Sequence, residues 1–203
     1  MRSTRTQVTL AQYIMKIAIL GGRFDPPHIG HFLVAQQVLD FRKDIDKVLL
    51  VPAFKHQWKP IIASPKDRLE MLQSFTSPQI EISDVEIKRG GVSYSIDTIK
   101  TIKEEPGADI FWIVGSDILA EFHRWKKAED LLKLATFLIF PRDPHTLPAR
   151  IPQGFEVIRS EKLLTTNFSS TLVRERVSQG RSIKNIVPES VENYIKVHNL
   201  YVK

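Results

Sequence analysis

The chain has 203 residues, of which 42% are hydrophobic and 26% charged, with a formal net charge of +6. This length and composition suit one compact domain, and the sequence has neither an apolar run of about 18 residues for a membrane helix nor a secretory signal. Zero cysteine excludes disulfides and thiolate metal sites, and the dispersed basic residues do not indicate a nucleic-acid patch, so we expect a cytoplasmic protein with no nucleic-acid or membrane partner.

The first segment, residues 1–14, is polar and carries Arg2 and Arg5 but no acidic residue. It precedes Met15 and the first predicted strand. We interpret it as an alternative translation start or a disordered extension, or else as a short targeting segment of poor amphipathicity. The folded domain is therefore expected over residues 15–203.

Strand and helix patterns alternate along the rest of the chain. Short apolar runs predict strands, while helical apolar spacing and serine starts predict helices. The predicted strands are Ile17–Leu20, Val48–Val51, Ile80–Ile82, Ile110–Val114, Thr136–Phe140 and Phe155–Ile158, and the predicted helices are Ile29–Phe41, Pro65–Phe75, a segment from Ser93 or Ser95 to about Glu104, Ala128–Leu134, Ser169–Val177 and Pro188–Val197. This alternation predicts an α/β fold, a Rossmann-like doubly wound parallel sheet in a single domain with a short helical C-terminal part.

The most informative stretch is IAILGGRFDPPHIGH, which begins at Ile17. It reads as a strand, a turn at Gly21 and Gly22, and a helix start with His28 and His31 at its mouth. Exposed N–H groups and the positive end of a helix macrodipole favour phosphate at such a place. Because the two imidazoles are three residues apart, they lie on one face and can donate to the same anion.

This stretch resembles the GxFDPxHxGH signature of the HIGH-type nucleotidyltransferases, which transfer a nucleotidyl group from ATP or CTP. The resemblance implies that His28 and His31 are catalytic, and that Gly21, Gly22 and Phe24 bind ATP together with them.

One position departs from that signature. The family usually has Thr or Ser where this chain has Arg23. The arginine either adds a phosphate contact or points away into solvent.

A second constellation closes the apolar strand at Gly115 and Asp117. Glycine lets a ligand approach the backbone, and an aspartate here can accept hydrogen bonds from ribose hydroxyls, or simply cap a helix. With Trp125 eight residues after the aspartate, the segment resembles the bacterial nicotinate-nucleotide adenylyltransferases. That resemblance implies ATP contacts from Gly115 and Asp117, and a tryptophan near the pyridine ring.

The third constellation is NFSSTLVR, with hydroxyls at a predicted helix start and an arginine one turn on. By themselves these residues describe either a capped helix or a phosphate grip. The segment resembles the superfamily's second signature, (I/F)SSTxxR. It implies ATP binding by Ser169, Ser170 and Thr171, and an ATP-binding and catalytic role for Arg174.

Three further matches concern the mononucleotide. The segment from Ile82 to Thr98 resembles an E-x-x-R…SYTxDTL stretch of the nicotinate-nucleotide enzymes and implies contacts from Tyr94 and Ser95. Weaker matches add Lys59, in a loop that lacks the family's prolines, and Arg142, in an arginine-proline loop after the fifth strand.

Taken together, the resemblances imply adenylyl transfer from ATP to nicotinate mononucleotide, which gives deamido-NAD and pyrophosphate. Mg²⁺ is expected as a cofactor bound mainly through the ATP phosphates, with no metal site built from protein ligands. Two alternatives stay open: a sister adenylyltransferase acting on nicotinamide mononucleotide or phosphopantetheine, and a nucleotide- or RNA-binding protein without catalysis. The sequence also leaves an oligomer open.

Overall fold

The alternation of strands and helices expected from the sequence is present in a computed structural model that describes residues 13–103, 107–142, 145 and 147–202. The strands in the described residues are β1 (Met15–Gly22), β2 (Lys47–Pro52), β3 (Ile80–Ile82), β4 (Ala108–Gly115), β5 (Thr136–Phe140) and β6 (Phe155–Val157). The α-helices are α1 (Ile29–Phe41), α2 (Pro65–Leu72), α3 (Val85–Arg89), α4 (Ser95–Lys103), α5 (Ala128–Leu134), α6 (Ser170–Ser178) and α7 (Glu189–Val197).

All neighbouring strands of the sheet are parallel, in the order β3-β2-β1-β4-β5-β6. Strands such as β2 and β4 are apolar on both faces, which is the pattern of a parallel sheet covered by helices on both sides. This is the strand order of a Rossmann-type sheet, and the predicted fold class is confirmed. The order reverses between β1 and β4, where such folds open a crevice at the carboxyl ends of the strands.

Successive strand residues feed two separate cores, one on each face of the sheet. Val48 and Leu50 face a core shared with α1, α2, α6 and α7. Leu49 and Val51 face the opposite core, to which α4 and α5 contribute Ile99 and Leu131 among others. The sheet is therefore held rigidly from both sides, and its carboxyl edge is a fixed platform.

The predicted elements are all present, with differences at their ends. Helix α6 begins at Ser170 rather than Ser169, and α7 at Glu189 rather than Pro188. The helix predicted over Pro65–Phe75 ends as an α-helix at Leu72 and continues as a 3₁₀ turn. Helix α3 and two 3₁₀ turns after β4, over Ser116–Ala120 and Phe122–Arg124, were not predicted from the sequence.

The predicted extension falls almost wholly outside the described residues, which begin at Tyr13. Tyr13 and Ile14 are exposed, and the Tyr13 hydroxyl donates to the Asp46 carboxylate. Strand β1 starts at Met15, whose N–H donates to the Gly107 carbonyl at 2.9 Å. Within the described parts of the chain, no helix is long and apolar enough to cross a membrane.

Candidate active site

A cavity of about 390 Å³ opens where β1 and β4 end. Most of the residues singled out in the sequence meet on its wall. Those are Gly21, Gly22, His28, His31, Tyr94, Ser95, Gly115, Asp117, Trp125 and Arg142. The lining does not include Phe24, Lys59, Ser169, Ser170, Thr171 or Arg174.

The glycines at the strand ends make room for side chains that form the cavity floor. A Cβ on Gly21 would lie 2.7 Å from the Trp112 ring, so β1 could not run beside β4 with a larger residue there. A Cβ on Gly115 would overlap the Asp117 carboxylate. The cavity floor is therefore formed by the backbone of Gly21 and Gly115, with the Trp112 ring and the Asp117 carboxylate packed against it.

The two histidines lie ring against ring at the start of α1, with their centroids 3.8 Å apart. Burial, with a smaller effect of the Arg142 cation, lowers the pKa of His28 to about 4. Burial also lowers the pKa of His31 well below its usual range. Both imidazoles are therefore neutral at pH 7, and each carries a single N–H.

The tautomer of His31 follows from its hydrogen bond. Its Nδ1 accepts from the His28 main-chain N–H at 3.1 Å, so the ring proton is on Nε2. His28 Nδ1 is buried and has no hydrogen-bond partner among the described residues. The pair therefore keeps ring nitrogens for a ligand.

The helix N-terminus offers fewer free amides than the sequence analysis expected. The N–H of Ile29 donates to the Ile186 carbonyl at 3.0 Å, and the N–H of His28 is used by the His31 ring. Gly30 is the first-turn residue whose N–H has no acceptor among the described residues, and it lines the cavity. The segment after α6 therefore occupies one of the N–H groups at the start of α1 that would otherwise be free to bind a ligand.

Gly30 also explains the glycine between the two histidines. A Cβ at this position would lie 3.0 Å from the His28 Cε1 and Nδ1 atoms and 3.4 Å from Thr166. These separations are tighter than normal carbon contacts, so a larger residue would push the His28 ring. The glycine sets the ring orientation.

Phe24 is part of the site's support rather than its wall. It is 1% exposed, has a positive φ of 48°, and packs on the His31 ring with centroids 4.8 Å apart. An aromatic ring at this turn holds the imidazole from behind. The structure gives Phe24 this internal packing role, and its ATP contact stays a prediction.

The second signature docks α6 onto the turn of the first. Ser169 Oγ accepts from the Leu172 N–H at 3.1 Å and caps α6. Ser170 Oγ donates to the Pro26 carbonyl at 2.8 Å, and Arg174 Nη1 donates to the Asp25 carbonyl at 2.6 Å. The two signatures, far apart in sequence, are therefore in direct contact beside the cavity.

The Asp117 carboxylate has an unpaired atom at the end of β4. Its Oδ1 is buried without a hydrogen-bond partner among the described residues. The neighbouring Ser116 Oγ accepts from the Arg142 N–H at 3.0 Å, which ties the loop after β5 to the end of β4. A buried acceptor of this kind is costly unless a ligand donates to it.

The other side of the cavity is aromatic. Trp125 packs edge-on against Trp112, with centroids 6.4 Å apart, and leaves part of its ring on the wall. Lys126 Nζ lies 4.0 Å from the centroid of the Tyr94 ring. Helix α4 starts at Ser95. The hydroxyl of Ser93, just before it, accepts from the Phe54 N–H at 2.9 Å and joins this segment to the connection after β2.

The connection after β2 contributes one side of the cavity, and the predicted mononucleotide contact of Lys59 stays a prediction. Lys59 lies off the cavity wall, and its N–H donates to His56 Nδ1 at 3.2 Å. Trp58 lies on the wall instead, with the Arg124 guanidinium 5.2 Å from its ring centroid. Arg23 donates through Nη1 to the Pro60 carbonyl at 3.1 Å and lies off the wall.

Sequence reasoning missed Trp112, His56 and Trp58 as parts of the wall. Trp112 is the fifth residue of β4 and pairs with Ile19 of β1, and its ring lies beside Gly21 only because of this strand pairing. A signal for it was present: a tryptophan inside a buried strand beside a Gly-Gly end. His56 and Trp58 belong to a loop whose sequence carries no periodicity.

No group of three or more His, Cys, Asp or Glu side chains able to hold a metal ion occurs in residues 13–103, 107–142, 145 and 147–202. The polar atoms of the wall are instead suited to donating and accepting hydrogen bonds. Neutral imidazoles, a backbone amide and the Arg142 cation can bind an anion, while Asp117 can accept from a sugar hydroxyl.

Comparisons with known proteins identify relatives over most of the chain. The cytidylyltransferase-like family model matches residues 19–176. A probable nicotinate-nucleotide adenylyltransferase from Synechococcus sp. (strain JA-2-3B'a(2-13)) is 36% identical, with 93% of this chain and 98% of the relative covered. A protein of the same name from Opitutus terrae is 37% identical, covering 92% and 98%.

A solved structure, Plasmodium falciparum nicotinic acid mononucleotide adenylyltransferase complexed with NaAD, has the same fold with a TM-score of 0.77. It is 21% identical, and the match covers 92% of this chain and 97% of that one. A putative nicotinate-nucleotide adenylyltransferase from Vibrio parahaemolyticus has a TM-score of 0.66 at 23% identity, covering 93% and 96%. The chain belongs to the cytidylyltransferase-like family and, within it, to the nicotinate-nucleotide adenylyltransferases.

Proposed function

We propose that this enzyme transfers the adenylyl group of ATP to nicotinate mononucleotide, which gives deamido-NAD and pyrophosphate. The observation that carries the proposal is the meeting of both nucleotidyltransferase signatures beside one cavity at the switch point of the sheet. The names of the full-length relatives support the same reaction.

The chemistry asks the protein for positioning and charge stabilisation. The mononucleotide's phosphate is already ionised at neutral pH and attacks the α-phosphorus of ATP, while pyrophosphate leaves in line. No general base is needed. A new bond forms between a phosphate oxygen of the mononucleotide and the α-phosphorus. At the same time, the bond from the α-phosphorus to the α,β-bridging oxygen breaks, and that oxygen leaves with pyrophosphate.

The paired histidines are the proposed catalytic donors. His31 presents Nε2–H, because Nδ1 is occupied by the His28 amide. A neutral imidazole donor aimed at an oxygen stabilises charge that develops on the leaving group. His28, the Gly30 amide and Arg142 complete an anion-binding wall around the same point.

Arg174 and the Ser169–Thr171 turn are proposed for the β- and γ-phosphates. The guanidinium has five N–H donors, and the structure engages Nη1 with Asp25 and Nη2 with Thr171. Donors are left over for phosphate. Its place beside the first signature, rather than on the cavity wall, is what supports a contact with the outer phosphates.

Mg²⁺ is proposed to enter with ATP as its complex, held by phosphate oxygens and water. The lack of a metal-binding cluster in the described part of the chain supports a metal carried by the substrate. We keep the cytoplasm as the proposed compartment, on the composition given above.

The aromatic side of the cavity suits the pyridine end of the substrate. Helix α4 begins there, and the N–H groups of Ser95 and Ile96 have no acceptor among the described residues. Free amides at a helix start favour a carboxylate. The nicotinate form carries such a group and the nicotinamide form does not, while Trp125 offers a face for the ring.

The test is pyrophosphate release from ATP and Mg²⁺ with nicotinate mononucleotide, nicotinamide mononucleotide or phosphopantetheine as acceptor. We expect kcat/KM for the acid to exceed that for the amide by roughly tenfold to several hundredfold, because one or two charge-assisted hydrogen bonds together contribute about 1.5–3 kcal/mol. Equal values would remove the proposed preference for the acid, and a higher value for the amide would make nicotinamide mononucleotide the preferred substrate. Turnover with phosphopantetheine alone would overturn the proposal.

A further inference from the structure

The aspartate of the first signature, Asp25, has a buried carboxylate that does not line the cavity. Asp25 is 0% exposed. Its Oδ2 accepts from the Ile62 N–H at 2.7 Å, and its Oδ1 accepts from the Ala63 N–H at 3.0 Å. The third donor is the hydroxyl of Tyr201, at 2.8 Å from Oδ1. A carboxylate with both oxygens used this way is a structural junction rather than an acid, base or metal ligand.

The chain is shaped to bring Tyr201 to this point. After α7 the Leu200 N–H donates to the Ile195 carbonyl at 3.0 Å, and Asn199 has a positive φ of 50°. This is the geometry that ends a helix and reverses the chain. Tyr201 itself has a φ of 63°, an unfavourable conformation for a bulky residue, and is 8% exposed.

Tyr201 is a donor at every working pH. Burial, together with the Asp25 carboxylate, raises the pKa of its hydroxyl. Strain at a non-glycine residue persists only where surrounding contacts hold it. Tyr201 is held by its hydrogen bond to Asp25 and by its packing in the core below α1.

The main-chain carbonyls at Asp25 and Pro26 bind the second signature. The Asp25 carbonyl accepts from Arg174 Nη1 at 2.6 Å, and the next carbonyl, of Pro26, accepts from Ser170 Oγ. Below the turn, the buried Arg68 guanidinium donates to the Arg23 carbonyl at 2.9 Å. One side chain therefore links the segment after α7 to the residues proposed for the ATP phosphates.

We propose that Tyr201 is a positioning residue for the ATP-phosphate subsite: its hydroxyl holds Asp25, and the Asp25–Pro26 carbonyls in turn hold Arg174 and Ser170. The inference rests on the proposed use of ATP. It assigns Tyr201 no contact with substrate.

The test compares Tyr201→Phe with Tyr194→Phe. Tyr194 is the matched control, because its hydroxyl, on α7, also donates to a carboxylate, Asp67, at 3.0 Å, and no signature carbonyl is involved. Both variants lose one hydroxyl and should lower Tm. We expect only Tyr201→Phe to raise the KM and the Kd for ATP, roughly three- to tenfold, with the KM for the mononucleotide unchanged.

A double-mutant cycle with Arg174→Lys checks the route. If Tyr201 acts through Arg174, the two substitutions together weaken ATP binding less than the product of their separate effects. Independent effects would overturn the proposed route. An unchanged ATP Kd in folded Tyr201→Phe, or an equal rise in Tyr194→Phe, would overturn the positioning role itself.

The Kd for ATP separates this inference from the proposed reaction. If the wild-type protein binds ATP but no acceptor supports turnover, the proposed function fails. The ATP Kd values of Tyr201→Phe and Tyr194→Phe can still be compared. If ATP does not bind to the wild-type protein at all, both fail.

Discussion

At the scale of single residues, the two imidazoles show how burial decides protonation. His28 is 5% exposed, and its pKa is about 4 against an ordinary 6.5. Between pH 4 and pH 6.5, His28 is protonated in the unfolded chain but neutral in the folded protein. Acid therefore favours the unfolded state: the contribution of His28 is complete above pH 6.5 and is lost as the pH falls toward 4.

We expect His28 alone to reduce the free energy of unfolding by about 2 kcal/mol between pH 7 and pH 5. His31 acts in the same direction, since its pKa is also lowered. Urea unfolding at the two pH values measures the loss, and a His28→Gln variant should lose about 2 kcal/mol less than the wild type. An identical pH dependence in both proteins would contradict a lowered pKa.

Gly30 gives a second prediction at this scale. Gly30→Ala should leave the free energy of unfolding within about 1 kcal/mol of the wild type, because alanine favours a helix. Its Cβ would nevertheless press on the His28 ring at 3.0 Å. Since small misplacements of catalytic groups are costly, kcat should fall by about tenfold or more.

Steady-state kinetics and thermal melting test this pair of effects, with Gln36→Ala on α1 as the control. The Gln36 side chain donates to Asp40 on the same helix and lies off the cavity wall. Wild-type kcat in folded Gly30→Ala would mean that the ring position is not critical.

At the scale of elements, substitutions at Ser169 can distinguish its role as the N-cap of α6 from its proposed role in phosphate binding. Ser169→Ala removes the acceptor of the Leu172 N–H and should cost about 1 kcal/mol of stability. Ser169→Asp restores a cap but adds a negative charge where phosphate is proposed. We therefore expect Ser169→Asp to melt like the wild type and to have a raised KM for ATP; a normal KM would exclude Ser169 from the phosphate subsite.

Local patterns were enough to predict the strands, the longer helices and the fold class, because each depends on the apolar spacing of one segment. Helix α3 was missed, since VEIKR is only five residues long and precedes a glycine turn. Its Glu86 accepts from the Thr98 hydroxyl of α4, a contact that only the folded chain creates. Element ends moved for a similar reason: Ser169 and Pro188 are flanking residues rather than helical ones.

Site residues were predictable where a motif and a strand end coincide, as at Gly21 and Asp117. Contacts that depend on long-range packing were not. The number of free amides expected at the start of α1 is reduced by the Ile186 carbonyl, and the sequence predicted no role for Asp25. Its partner Tyr201 lies in a segment with no chemical signature of its own.

At the scale of the whole molecule, metal dependence should separate catalysis from folding. The described residues hold no cluster suited to a resident cation. We expect EDTA to stop pyrophosphate release while leaving the Tm of the free enzyme unchanged, and added Mg²⁺ to restore turnover. A fall in Tm on chelation would reveal a structural metal.

The bond between Asp25 and Tyr201 spans 176 positions of the chain. A ribosome adds about 5–20 residues per second, so roughly 10 to 35 s pass between the synthesis of Asp25 and the synthesis of Tyr201. During that time the sheet can form from its local βαβ units, but Asp25 lacks its hydrogen bond from Tyr201. If Tyr201 positions the ATP-phosphate subsite as proposed, we expect a nascent chain to bind ATP tightly only after the segment that follows α7 has been synthesised and has docked on Asp25.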